Sequence, residues 1–274
     1  MGLARWMMPV GLAALASGCI SVETLVRVKT DGSGTVTETV TMNPAAVENA
    51  IAAANQATAK DTPRASLGLG PLEDAALAKA RAATIGEGVT FVSADPIDTK
   101  TARGLSVVYA FRDVRKLLVS QRPDARLGLP STRAEQPIRF AFTGNPSGAS
   151  VLTVRMRDPL ASPRPAASPG AHAKPEPNPA SLAMARQIFQ GMRLRLAVEV
   201  DGKIASTSSP YVDGATVTLL DIDFEALLVD ESKLNQLRAA RNSGSLEDLE
   251  QILKGVPGIK VNLDPEVRIE FGAK

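Results

Sequence analysis

The chain has 274 residues, with 31 Lys and Arg against 29 Asp and Glu, one His and one Cys. So even a charge balance lacks the basic excess of a nucleic-acid binder, and a single cysteine cannot staple the fold with an internal disulfide. The length is enough to bury a sizeable core without a structural metal.

The first element in chain order is an export signal. Arg5 is the lone charge in the first 22 residues and precedes an uncharged run, 6–16, that ends in Ala16, Ser17 and Gly18. A positive start, an apolar middle and a small-residue site form the layout of a secretory signal peptide. A bilayer-crossing helix takes about 20 apolar residues, whereas this run is shorter and broken by Pro9 and Gly11. Met1-Gly2 begins like a myristoylation site, but Trp6 stands where that signal requires Ser or Thr.

The stretch Leu15-Ala16-Ser17-Gly18-Cys19 resembles the lipobox of bacterial lipoproteins, with Ala16 where Leu is commoner. The resemblance implies that residues 1–18 are removed and that the Cys19 thiol takes a diacylglyceryl group. The new amine would be acylated as well. Ile20, rather than Asp, follows the cysteine, which by the family's sorting rule implies the outer membrane, facing the periplasm. One acyl chain holds a protein only marginally, while two or three hold it stably. The alternative is an ordinary signal peptide with an incidental cysteine.

Residues 22–42 predict a β-hairpin. Val22, Thr24, Val26 and Val28 alternate with Glu23, Leu25, Arg27 and Lys29, and beyond Asp31-Gly32-Ser33-Gly34 the residues Val36, Val40 and Met42 alternate with four threonines. Asn43-Pro44 opens a predicted helix, and Pro71 opens another that Gly86 closes. Strands are expected over 89–92, 105–111, 138–142 and 151–156. The stretch 112–139 carries an excess of cations, read as a solvated surface, with contact to anionic head groups as the sharper alternative. Residues 158–179 form a Pro/Ala-rich linker or insertion with too few large apolar side chains to pack.

After this stretch Asn178-Pro179 opens a helix carrying Leu182, Ala185, Ile188, Phe189 and Met192. Residues 194–206 read as a second hairpin around Asp201-Gly202, followed by a strand over 215–222. Helices are expected over 223–242 and 245–255, the latter with Ser245 and Asp248 as a capping box, and strands over 259–263 and 267–271. Hairpins interspersed with helices, without regular βαβ alternation, predict an α+β fold of mostly antiparallel sheets with several packed helices. The whole of 19–274 is taken as one composite domain.

Catalytic patterns are scarce. The lone histidine, His172, lies inside the Pro/Ala stretch, where nothing fixes it against a nucleophile or within a zinc site. Gly86-x-Gly88 stops short of a dinucleotide pattern, and its plainer role is a helix stop. Asp221, Asp223 and Glu225 form the one carboxylate cluster to weigh. They could perform acid–base work or bind a hard cation. The favoured reading has Asp223 capping the next helix and Asp221 facing water. No catalytic residue, metal or cofactor is assigned.

The expected function is a lipid-anchored, non-catalytic envelope protein with a binding or assembly role. Its partners would be the membrane, through a covalent lipid on Cys19, and an envelope lipid or protein, with no nucleic acid. A lipid carrier is one alternative, since Met184, Phe189 and Met192 could line an apolar groove, although core packing accounts for the same pattern. A carboxylate-dependent hydrolase is the other. The anchor, the early hairpin and the mixture of strands and helices resemble the LppM-type domain of other bacterial lipoproteins, chiefly over residues 19–42. That resemblance implies glycolipid or phospholipid binding; the chain departs from it in having no C-terminal transmembrane run.

Overall fold

The computed structural model describes residues 20–46, 48, 75–120, 136–144, 149–156, 191–229, 231–243 and 246–272. Cys19 and its flank 16–18, the stretch 158–179 with His172, the helix expected after Asn178 as far as residue 190, and Ser245 lie outside the described residues.

The first hairpin forms as its alternation predicts. Strand β1, Ile20–Val28, pairs antiparallel with β2, Gly34–Met42, from Ile20 opposite Met42 to Val28 opposite Gly34. Val22, Val26, Val28 and Val36 are fully buried, each burial contributing roughly 1.5–3 kcal/mol. At the turn, Asp31 accepts hydrogen bonds from the Ser33 amide and hydroxyl. Gly32 has φ 82°, which L side chains rarely adopt, and a Cβ there would come within 2.8 Å of the Phe142 ring.

Beyond β2, the Asn43 side chain accepts a hydrogen bond from the Ala46 amide at 3.3 Å, the N-cap contact expected of Asn43-Pro44. Helix α1, Ala75–Ile85, ends where Gly86 meets the 3-10 turn Val114–Lys116. A Cβ on Gly86 would lie 2.4 Å from the Lys116 carbonyl oxygen, so glycine lets the two segments touch. Strands β3, Thr90–Asp98, and β4, Arg103–Phe111, follow as an antiparallel pair, and then β5, Arg139–Thr143, and β6, Ser150–Arg155. The second half supplies β7, Arg193–Val200; β8, Lys203–Thr207; the short β9, Val212–Asp213; and β10, Thr216–Asp223. Helices α2, Phe224–Val229, α3, Glu231–Ser243, and α4, Leu246–Lys254, precede β11, Ile259–Val261, and β12, Glu266–Gly272.

These strands make two sheets. The larger runs β11-β10-β7-β1-β2-β4-β3, with β9 on β10, and the smaller runs β5-β6-β12-β8. Among the described residues β1 with β7 is the parallel pair; the other strand pairs are antiparallel. An apolar cluster joins the layers, with Val26, Val36 and Tyr109 of the large sheet, Leu152, Ile269 and Phe271 of the small one, and Ala78, Ala82 and Ile85 of α1. The Tyr109 hydroxyl donates to the Ala78 carbonyl at 2.9 Å, fastening α1 to the sheet.

Two expectations need correction. The fold is richer in strand than the α+β label implies: the antiparallel sheets are present, but among the described residues the helices are few and short. Residues 194–206 are also not a hairpin. β7 belongs to the large sheet and β8 to the small one, so Asp201-Gly202 is a crossing between layers. The Asp201 amide donates to the Val28 carbonyl at 2.8 Å, which holds that crossing against the end of β1.

Candidate functional site

Alternation along β7 and β10 brings Arg193, Arg195, Asp221 and Asp223 to the polar face of the large sheet. In register, Asp221 lies opposite Arg195 and Asp223 opposite Arg193. The side chains pair diagonally. Arg193 donates through Nε to Oδ1 and through Nη2 to Oδ2 of Asp221, both at 2.8 Å, the two-point geometry that makes guanidinium–carboxylate pairs strong. These hydrogen bonds hold the Arg193 guanidinium above its ordinary range, against the opposing effect of partial burial. Arg195 reaches the other way, to Glu23 of β1 at 2.9 Å, and Arg27 of β1 meets Glu199 of β7 at 3.1 Å. The result is a ladder of ion pairs across three neighbouring strands, in which the Arg195 Nε is buried with no hydrogen-bond partner among the described residues.

Each member of the sequence-predicted carboxylate cluster thus has an assignment. Asp221 does not face water: it is 6% exposed, with both oxygens held by Arg193. Asp223 caps α2, its Oδ1 accepting from the amides of Glu225 at 2.9 Å and Ala226 at 3.2 Å. Glu225 accepts from the Gly191 amide at 3.1 Å, tying α2 to the chain that enters β7. The three are neighbours in sequence, yet they serve three different structural contacts. Among the described residues no group of three His, Cys, Asp or Glu side chains could hold a metal ion.

A charged group that the sequence reading passed over lies on the opposite face. Glu38 of β2 is 7% exposed, and Arg81 of α1 reaches it with Nε 3.1 Å from Oε2 and Nη2 3.4 Å from Oε1. The Nε contact is close but not aligned as a hydrogen bond. Thr24, directly across from Glu38 on β1, is also buried. Glu38 stands in phase with Val36, Val40 and Met42, and Thr24 in phase with Val22 and Val26. A polar residue in the apolar phase of a strand is the signal that could have found this pair.

The basic stretch that begins at Arg112 is partly neutralised where it is described. Arg115 pairs with Asp113 at 2.8 Å, and Lys116 with Glu87 at 2.8 Å. The Arg115 hydrogen bond holds the Asp113 carboxyl below its usual range, and Asp113 raises Arg115 in return.

No protein-family model matches the chain, and no curated protein matches it in sequence. Among solved structures, the NMR structure of the folded domain of LppM from Mycobacterium tuberculosis superposes on 93% of this chain and 91% of its own, with a TM-score of 0.34 and 10% identity. A superposition that loose carries nothing from LppM to this chain. Among the described residues, no helix is long and apolar enough to cross a membrane.

Proposed function

We propose that the protein is a lipid-anchored bacterial envelope lipoprotein with a non-catalytic binding or assembly role. The observation that carries this reading is the junction at Cys19. The small-residue signal site ends at Gly18, and the first strand of the sheet begins at Ile20. Cleavage before Cys19 would therefore remove the apolar leader and leave β1 whole, with the thiol at the new N-terminus. The acyl groups of a lipoprotein would then hold the domain on its membrane, in the outer membrane facing the periplasm by the Ile20 rule.

The carboxylates support binding over hydrolysis. Acid–base work needs a carboxyl group free to exchange a proton with substrate, whereas Asp221 has both oxygens on a guanidinium and Asp223 and Glu225 accept from backbone amides. The partner is an envelope lipid or protein. Cys19→Ala tests the anchor. The unchanged chain should sediment with membranes and the variant should be released; a variant that still sediments fully contradicts the reading. Native mass spectrometry of residues 20–274 then distinguishes the partners, a stoichiometric co-purifying lipid pointing to lipid binding.

A further inference from the structure

Strand β1 lies in the middle of the large sheet, with β7, β10 and β11 on one side and β2, β4 and β3 on the other. The register gathers one end of seven of its eight strands, all but β9, into a single rim. Ile20 sits beside Met42, Met42 beside Arg103, and Arg103 beside Asp98. On the other side Ser21 sits beside Arg193, Arg193 beside Asp223, and Ile222 beside Ile259.

We propose that this rim is apposed to the bilayer surface and that the sheet stands upright on it, an inference that rests on lipidation of Cys19. Successive Cα atoms are about 3.8 Å apart, so a lipid on Cys19 leaves no linker between the membrane and Ile20. Strands are spaced about 4.8 Å apart, so the rim reaches roughly 14 Å to either side of the anchor. A tether of about 7 Å at the centre of that end keeps it near the head groups, together with the start of α2 at Phe224 and the chain entering β7 at Gly191. A long linker would impose no such closeness.

The far end of the sheet is then held away from the membrane. At about 3.3 Å per residue, the nine-residue β1 rises roughly 30 Å. The Asp31-Gly32 turn, the Asp201-Gly202 crossing and the ion-paired Asp113 and Arg115 occupy that far end. The rim itself presents exposed Lys100 and Thr101 in the β3–β4 turn, with the Arg103 and Arg193 side chains about half exposed. Lys100 suits contact with the phosphates of a head-group layer, while Arg103 has Asp98 beside it, Arg193 is held by Asp221, and Asp223 and Glu225 lie at the same end. A protein partner arriving from the aqueous side would meet the far end and the two faces, not the rim.

Because Cys19 is the only cysteine and its thiol is consumed by the lipid, Thr101→Cys and Arg112→Cys each introduce a single labelling site in the full processed chain. Each variant would carry a fluorophore and be reconstituted into phosphatidylethanolamine–phosphatidylglycerol vesicles containing head-group-nitroxide lipid. Circular dichroism would check that both variants fold like the parent. The expected result is quenching several-fold stronger at position 101 than at 112. Equal quenching, or stronger quenching at 112, with vesicle association still dependent on Cys19, overturns the orientation and leaves the anchor standing. Vesicle association unchanged by Cys19→Ala removes the anchor, and the orientation with it.

Discussion

On the polar face of the large sheet, three ion pairs, Arg193 with Asp221, Arg195 with Glu23 and Arg27 with Glu199, bind β10, β7 and β1 together. On the opposite face, Glu38 of β2, between Thr24 of β1 and Val107 of β4, meets Arg81 of α1. The chemistry is the same but the surroundings differ. Arg27 and Glu199 keep much of their hydration, so their attraction is screened and contributes little. Glu38 has lost nearly all of its water, so breaking its ion pair with Arg81 costs more than breaking an exposed one. Charge is thus a trimming at Arg27 and Glu199 and a commitment at Glu38, and Asp221, on the first face but only 6% exposed, belongs with Glu38.

That contrast orders the expected effects of substitution. The largest belongs to the apolar layer itself: Ile269→Ala, at a fully buried position that joins the sheets, should cost about 3–4 kcal/mol in urea unfolding. Glu38→Ala should cost about 2–3 kcal/mol, reduced from the fully buried case because Arg81 keeps some contact with water. Replacing both partners with apolar residues, Glu38→Leu with Arg81→Met, should recover most of that loss, and a double variant as unstable as Glu38→Ala would contradict the account. Asp223→Ala, which removes the cap of α2, should cost about 1 kcal/mol, with faster amide exchange confined to the start of that helix. Arg27→Ala should change stability by less than about 0.5 kcal/mol. A loss at Arg27 as large as that at Glu38 would erase the distinction between the exposed and the buried pair.

The same contrast explains what the sequence could reveal. The β1–β2 hairpin was legible because apolar and polar residues alternate on both sides of a glycine turn, and the Asn43 and Asp223 caps were legible because capping is local chemistry. Strand β3 was expected to stop at Val92, yet it runs to Asp98 through Pro96. It is the outermost strand beside β4, where a missing amide donor and added carboxylates are tolerated and discourage further pairing. Asp201-Gly202 has the local chemistry of a hairpin turn, and only the long-range placement of β8 beside β12 makes it a crossing. Asp221 looked solvent-facing because its partner, Arg193, is 28 residues away in sequence. The Cys19 signal is purely sequential, and its flank lies outside the described residues.

The most direct test of the proposed function is the mass of the mature N-terminal peptide, isolated from membranes of cells expressing the full chain. The account predicts a peptide that begins at Cys19 and carries a thioether-linked diacylglyceryl group, with a further acyl chain on its amine. A mature chain that begins elsewhere, or a Cys19 with a free thiol, would contradict it.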